Sequence, residues 1–303
     1  MADQPLVTVV IPCYKQAHWL PDAIESALAQ TYPNVEVVVV NDGSPDDTSA
    51  VARSYGERVR LLEQPNTGLS GARNAGILAG RGELVAILDS DDRLHPDCLE
   101  RRVALLLADP KSGMITGNVR FVDPALRDTG REGMRRDSPP DPQFRTFVRG
   151  NWGATCGTIL RRSALERCGL YDPFLRACED WDSQIRISKR YRLVYDPIPG
   201  ADVREAPGSM SRGHTTMWDM AVAVMRKNRA IADDGWTYWI DSRHALFNNL
   251  LMMMNRVRLE ERGARRWAVM FEFARKRPAS IPYFLLWALR FGWNQLARPF
   301  RAR

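Results

Sequence analysis

From Leu6 to Val122, short β-branched runs alternate with segments whose apolar residues recur at helical spacing. This alternation constrains the fold more than any other feature, because it is what parallel strands joined by crossover helices require. It predicts strands over 6–11, 35–40, 59–62, 84–88 and 114–122, with helices near 20–28, 46–55, 71–78 and 96–107. The run at 35–40 is nearly all valine, as expected where helices cover both faces of a sheet. Residues 123–142 break into Pro, Gly, Asp and Arg and read as a long loop; 155–160 reads as a strand and 162–167 as a helix closed by Gly169. Beyond about Met217 the pattern is helical throughout.

The chain of 303 residues allows one large domain or a main domain with an appendage. With 45% hydrophobic and 26% charged residues it is a globular composition, which excludes disordered, collagenous and disulfide-scaffold classes. Cys13, Cys98, Cys156, Cys168 and Cys178 are odd in number and include no C-x-x-C pair, so they read as reduced thiols rather than bridges or zinc ligands. No apolar run approaches the roughly 18 residues of a membrane span. The amino terminus has neither the basic start nor the apolar stretch of a secretory signal, and a cytoplasmic location is expected. The net charge of +7 is uneven: residues 251–303 carry 12 Lys+Arg against 3 Asp+Glu, leaving the rest slightly acidic.

In open α/β sheets ligands bind at the carboxyl ends of strands, and here those ends are polar. The first leads to Pro12-Cys13-Tyr14, the second to Asn41-Asp42-Gly43-Ser44, and the run at 84–88 to Asp89-Ser90-Asp91-Asp92. Gly80-x-Gly82 lacks the third glycine of a dinucleotide fingerprint, and no P-loop occurs, so nicotinamide and P-loop ATPase chemistry is not expected. Asp89 and Asp91, two apart in an extended segment, point the same way, with Asp92 facing elsewhere. Carboxylates this close repel unless a cation sits among them, and Mg²⁺ or Mn²⁺ suits a site that leaves positions for phosphate oxygens. The alternative is a solvated turn capping the next helix. Asp42 is either Asp-Gly turn chemistry or an acceptor for a pyrimidine imide N–H, with Tyr14 offering an aromatic face. The small residues of 66–74 precede a helix, where free backbone N–H groups favour anions, and Arg73 there neutralises a phosphate, holds a sugar hydroxyl or is simply exposed. Glu179-Asp180-Trp181 opens another helix, where carboxylates are ordinary near the N-terminus.

The order of these motifs resembles the family 2 glycosyltransferases: the apolar strand to Pro12 and Tyr14, Asn41-Asp42-Gly43-Ser44, Ala72-Arg73-Asn74, Asp89-Ser90-Asp91 and Glu179-Asp180, spanning about 7–211. The resemblance implies a GT-A fold, an α/β architecture with a Rossmann-like, mostly parallel central sheet flanked by helices, here with a C-terminal helical extension. It divides the chain into a catalytic domain over 1–215, with its nucleotide-binding part about 1–122 and its acceptor part about 143–215, and a helical region over 216–303. It also implies inverting, metal-dependent transfer of a sugar from a nucleotide-diphosphate donor, UDP-sugar favoured, to a sugar or lipid-linked acceptor in cell-surface polysaccharide or glycolipid synthesis. Pro12, Tyr14, Asp42, Arg73, Asp89 and Ser90 then contact the donor, and Asp91 with Asp92 holds Mn²⁺ or Mg²⁺. Asp180 is the base, with Glu179 and Trp181 toward the acceptor, although Trp181 equally suits the core. An aspartate has a reference pKa of about 3.9 and is ionised at neutral pH, so it can take the hydroxyl proton as the new bond forms.

Departures from the family pattern are Lys15, where many relatives have Asn, and Val203-Arg204-Glu205-Ala206, which lacks a histidine after the arginine. His214 and His95 are candidate substitutes as metal ligands, with a structural role the default for both. Arg266-Trp267 is similar to the end of the Q-x-x-R-W motif of processive synthases, but Gly263 stands at the glutamine position, so single transfer is expected. Trp236, Trp239, Trp267, Trp287 and Trp293 are expected in the core. The apolar and aromatic residues of 281–296, flanked by arginines, suit either an anionic membrane surface at the inner face of the plasma membrane or packing on the catalytic domain. Nucleic-acid binding is not expected, since no module accompanies the charge. The competing readings are a nucleotide-sugar binding or scaffolding protein of the same fold without turnover, and a nucleotidyltransferase.

Overall fold

Val7, Val9, Val10 and Ile11 have no exposed surface, and the strand they build, β1 (Val7–Cys13), runs inside a seven-stranded sheet. The computed structural model describes residues 4–133, 139–205, 214–260, 263–283 and 285. Strand β1 pairs in parallel with β2 (Val35–Asp42) on one side and β4 (Leu84–Ile87) on the other, and β3 (Arg60–Gln64) extends the parallel set beyond β2. Helices α1 (Leu20–Leu28), α2 (Thr48–Arg53), α3 (Leu69–Ala79) and α4 (Cys98–Ala108) connect and flank these strands. At the far side β10 (Arg192–Asp196) pairs in parallel with β6 (Ser112–Gly117). Strand β9 (Ala154–Arg161) joins the two halves, antiparallel to both β4 and β6. The largely parallel sheet with flanking helices is the architecture expected.

The segment read as one strand over 114–122 is two. It leaves the main sheet after Gly117 and re-forms as β7 (Arg120–Val122) in a second sheet ordered β5 (Arg93–Leu94), β11 (Ala201–Arg204), β7 and β8 (Asp128–Glu132). The loop expected over 123–142 therefore contains β8. Its five residues are all exposed, so no apolar period announces them; the Asp123 carboxylate instead accepts the backbone N–H groups of Ala125 and Arg127 and tightens the turn between β7 and β8. Helices α5 (Gln143–Arg149), α6 (Arg162–Cys168) and α7 (Glu179–Ser188) complete the layer around β9 and β10.

The C-terminal helices α8 (His214–Asn228), α9 (Gly235–Glu260) and α10 (Gly263–Lys276) contribute to the same hydrophobic core as the sheet: Trp218, Val224, Met254 and Phe273 belong to one buried cluster with Phe147, Trp181 and Ile187. Trp236 and Trp239 depart from the expected core placement. They are 69% and 48% exposed and stack on each other at 5.3 Å on the outside of α9. The side chain of Trp267, and Trp287 and Trp293, lie outside the described residues, as do 286–303 of the basic tail. All five cysteines are free thiols.

A buried ion pair holds α4 against the main sheet. Arg102 on α4 is fully buried, donates to the Asn118 and Cys156 carbonyls and pairs with Asp196 at the end of β10. Gly117, Gly157 and Gly200 make room for it: a Cβ on any of the three would stand 2.5–2.6 Å from a guanidinium nitrogen. Asp196→Ala strands this guanidinium in the interior and is expected to cost about 3–5 kcal/mol in urea denaturation. Asp97→Ala, which removes only an exposed partner of Arg101, is expected to change stability by about 1 kcal/mol or less.

Candidate active site

The carboxyl ends of β1, β2 and β4 and the start of α7 border one cavity of about 1610 Å³, lined among others by Tyr14, Asp42, Arg73, Asp89, Asp91 and Asp180. Pro12, Ser90, Asp92, Glu179 and Trp181 line it as well, so residues predicted from five separate stretches of sequence meet at one place.

On the β2 side, Asp42 is 3% exposed and acts as the anchor of the following loop. Its Oδ1 accepts from Gln64 Nε2, Thr67 N and Thr67 Oγ1, and its Oδ2 accepts from Gly68 N at 2.9 Å. Oδ1 thus receives three donors, one more than its two lone pairs, while Oδ2 receives one and keeps a lone-pair position. Gly43 cannot carry a side chain here, since φ is +71° and a Cβ would lie 2.8 Å from Asn66 N. Tyr14 is 42% exposed, with the Lys15 ammonium 5.0 Å from its ring centre. Lys15 has left-handed backbone (φ 59°) and donates its N–H to Ser44 Oγ at 2.8 Å, which fixes the turn that presents Tyr14.

After β4 the chain turns tightly, with Asp92 N bonded to Asp89 O. Asp91 Oδ2 accepts from Gln16 Nε2 at 3.1 Å, and the Gln16 carbonyl accepts the Ser90 hydroxyl, so one side chain from the turn after β1 holds both residues. Asp92 is 4% exposed and its Oδ1 accepts the backbone N–H of Arg204 at 2.9 Å, tying the acidic turn to β11. Burial, then the nearby Asp89 charge, raises the Asp91 pKa; burial followed by Asp91 and Asp89 raises that of Asp92 further. The carboxylates thus lack sufficient positive charge of their own. Among the described residues no cluster of three or more His, Cys, Asp or Glu forms a closed metal cage. An incomplete set of hard oxygen ligands fits Mg²⁺ or Mn²⁺ shared with phosphate oxygens and water. His95 is not part of it, bonding Asp202 and the Pro199 carbonyl instead, and the His214 side chain lies outside the described residues.

Another side of the cavity is held by α7. Cys178, in left-handed backbone (φ 62°), turns the chain so that Glu179 and Asp180 occupy the helix start. Glu179 is buried and does not face an acceptor as expected; it pairs with Arg73 at 2.5 Å, and burial outweighs that pairing to leave its pKa raised. Arg73 also binds Asp89 at 2.7 Å with its other terminal nitrogen. Its side chain is 1% exposed, so the guanidinium is engaged by these two carboxylates rather than presented to the cavity as an open cation. Burial works against its charge, but Asp89 and Glu179 together raise its pKa. Of the two readings of Trp181 the structure shows the core one: it is 2% exposed and donates its indole N–H to the Phe147 carbonyl at 2.6 Å, beneath the cavity. Asp180 Oδ2 accepts from Asn151 Nδ2 at 2.8 Å and Thr155 Oγ1 at 3.1 Å, and Oδ1 from Trp181 N.

Sequence reasoning missed Gln16, Asn151 and Thr155. Gln16 directly follows the Tyr14-Lys15 pair it did single out; Asn151, in Gly150-Asn151-Trp152-Gly153 ahead of β9, carried only the generic signal of a glycine-bounded turn near a strand.

The sequence model of Glycosyl transferase family 2 matches residues 8–169. An uncharacterised glycosyltransferase of Rickettsia prowazekii (strain Madrid E) is 28% identical over 258 residues, 80% of either chain. Chondroitin synthase of Pasteurella multocida (strain Pm70) is 37% identical over 123 residues, 40% of this chain and 13% of its own. Among solved structures, S. aureus TarS 1-349 in complex with UDP-GlcNAc superposes with TM-score 0.63 at 17% identity, covering 80% of this chain and 71% of that one. The mannosyltransferase PcManGT from Pyrobaculum calidifontis, in complex with GDP-Man and Mn²⁺, gives 0.62 at 20% identity over 97% and 88%. These structural likenesses establish the GT-A fold.

Arg73→Met leaves Asp89 and Glu179 without their shared cation and is expected to lower stability by about 3–5 kcal/mol in urea denaturation. Arg73→Lys is expected to recover only part of the loss, since one ammonium cannot bond two separated carboxylates as a planar guanidinium does. Asp180→Asn, which keeps an acceptor oxygen for Asn151, is expected to stay within about 1 kcal/mol of the parent.

Proposed function

The chain belongs to glycosyl transferase family 2, and we propose that it transfers a sugar from a nucleotide-diphosphate donor, UDP-sugar favoured, to an acceptor hydroxyl with inversion at the anomeric carbon. The observation that carries this reading is that Asp91 and Asp180, far apart in sequence, open onto the same cavity. In it, Asp180 takes the proton of the acceptor hydroxyl as that oxygen bonds to the anomeric carbon, and the bond from that carbon to the diphosphate oxygen breaks with its electrons leaving on the diphosphate. One displacement inverts the carbon and needs a single base. Asn151 and Thr155 keep the Asp180 carboxylate aimed, while Arg73 and Glu179 fix Asp89 beside the donor.

Asp91, with Asp92 behind it, holds Mn²⁺ or Mg²⁺ in this reading. The ion supplies charge to offset that developing on the leaving diphosphate. Gln16 orients Asp91 toward it. The PcManGT complex with Mn²⁺ supports this role. Uridine is favoured because Asp42 Oδ2 can accept an imide N–H beside the Tyr14 ring, and the TarS complex with UDP-GlcNAc is consistent with it, although PcManGT carries GDP-Man. Pro12 and Ser90 complete the donor side. In this reading residues 1–215 carry the catalytic machinery, with the donor contacts in 1–122 and the base in 143–215, and 216–303 form a helical C-terminal region. We place the protein in cell-surface polysaccharide or glycolipid synthesis, at the cytoplasmic side of the membrane, with its basic tail as a peripheral contact. No helix among the described residues is long and apolar enough to cross a membrane.

Release of UDP from a panel of UDP-sugars, measured with and without Mn²⁺ and an acceptor panel, tests the proposal. Asp180→Asn is expected to lower transfer by about 10²–10⁴-fold while UDP binding persists. Asp91→Ala is expected to abolish the stimulation by Mn²⁺. Unchanged transfer in both variants would contradict the assignment.

A further inference from the structure

We propose that Arg204, the last residue of β11, is a positioning residue for the acidic turn, holding the Asp91 main chain so that its carboxylate meets a divalent cation. This role rests on the reading of Asp91 as a metal ligand and adds a residue that acts on the ion through another. The Arg204 side chain is 1% exposed, although the residue borders the cavity. Its Nη1 donates to the Asp91 carbonyl at 2.8 Å, and its Nη2 donates to the Asp22 carboxylate in the first turn of α1. The guanidinium carbon lies 5.4 Å from the centre of the Trp19 ring. With the backbone N–H of Arg204 on Asp92 Oδ1, one residue of β11 grips two consecutive residues of the turn.

These contacts close a ring. Gln16 holds the same turn through Asp91 Oδ2 and the Ser90 hydroxyl. The main-chain carbonyl of Gln16 accepts the N–H groups of Trp19 and Leu20 at 3.0 and 3.1 Å, where α1 begins. Helix α1 carries Asp22, and Asp22 holds Arg204, so the path from Gln16 through Asp91 returns to Gln16 by way of Arg204 and α1. The Asp91 side chain is thus tied by Gln16 and its main chain by Arg204. Stability alone is a poor account of this arginine. Its Nε is buried with no hydrogen-bond partner among the described residues, and an unpaired buried donor is destabilising. Its charge also has the wrong sign to attract a cation. What a guanidinium supplies is a rigid planar fork, able to bond a carbonyl and a carboxylate in fixed relative positions. Groups behind a metal ligand orient it, and losing one weakens metal binding about 10–100-fold.

Mn²⁺ is titrated into the full chain in the presence of UDP, free Mn²⁺ being read from its electron paramagnetic resonance signal, for the parent, Arg204→Lys, Arg204→Met and Asp22→Ala. The Mn²⁺ dissociation constant is expected to rise about 10–100-fold in both Arg204 variants. It is expected to rise less in Asp22→Ala, at a partly exposed site that removes one anchor of the guanidinium. Metal-free UDP affinity is expected to stay at the parent's value, since Asp42 and Tyr14 are untouched. Charge acting alone gives the opposite pattern: Arg204→Met removes a repelling cation and tightens Mn²⁺, while Arg204→Lys changes nothing. Tighter Mn²⁺ in Arg204→Met, or parent-like affinity in Arg204→Lys, would overturn the inference while leaving the metal reading in place. Should Arg204→Met fail to fold, Arg204→Lys and Asp22→Ala decide. A parent that binds no Mn²⁺ beside UDP would remove the metal reading and this role with it. Weakened Mn²⁺ in the variants of a chain that transfers no sugar would count against the catalytic reading alone.

Discussion

The Arg73 guanidinium spans Asp89 at the end of β4 and Glu179 at the start of α7, two carboxylates ninety positions apart in sequence. Everything else at the site depends on that bridge. Asp89 leads into the acidic turn that carries Asp91, and Glu179 precedes Asp180, so one buried cation ties the acidic turn to the helix start that presents Asp180. Such a pair adds little net stability compared with apolar packing, because removing the charges from water offsets most of their attraction. Its effect is to fix geometry, since a planar guanidinium bonds two carboxylates only when both are correctly placed.

The same logic recurs around the cavity. Asp42 uses its carboxylate to order the loop from Gln64 to Gly68, Gln16 ties Ser90 to Asp91, and Asn151 and Thr155 fix Asp180. Lys15 and Cys178, two of the three non-glycine residues with positive φ among the described residues, both line the cavity. Backbone in that region is costly for side-chain-bearing residues and persists where surrounding contacts over-determine it. The residues that touch substrate in the proposed reaction are few, and the larger number around them restrict where those few can point.

The parallel half of the fold was legible because apolar runs and helical spacing are local signals. The polar strand ends were legible for the same reason: Asp42, Asp89 and Asp91 each follow a run that could only be a buried strand. Strand β8 was not, since its residues are all exposed and its pairing with β7 depends on backbone bonds alone. Nor were the roles of Arg73, Glu179 and Trp181. Arg73 and Glu179 read alone as surface, capping or substrate-facing groups and Trp181 as either core or an acceptor face, and only the fold, by bringing residues 73, 89, 147 and 179 together, makes the first two a buried ion pair and the third a core indole. The departure of Trp236 and Trp239 from the core has a similar origin: aromatic residues in a helical stretch carry no local mark of which face meets the sheet.

In the proposed reaction a divalent cation at Asp91 and the carboxylate of Asp180 serve one donor from two sides of one cavity. Anomalous diffraction from crystals grown with Mn²⁺ and UDP tests it most directly. A manganese peak is expected in direct coordination with Asp91 and the UDP phosphates, with Asp180 facing it across the space the sugar would fill. A peak bound elsewhere, or UDP seated with its phosphates away from Asp91, would contradict it.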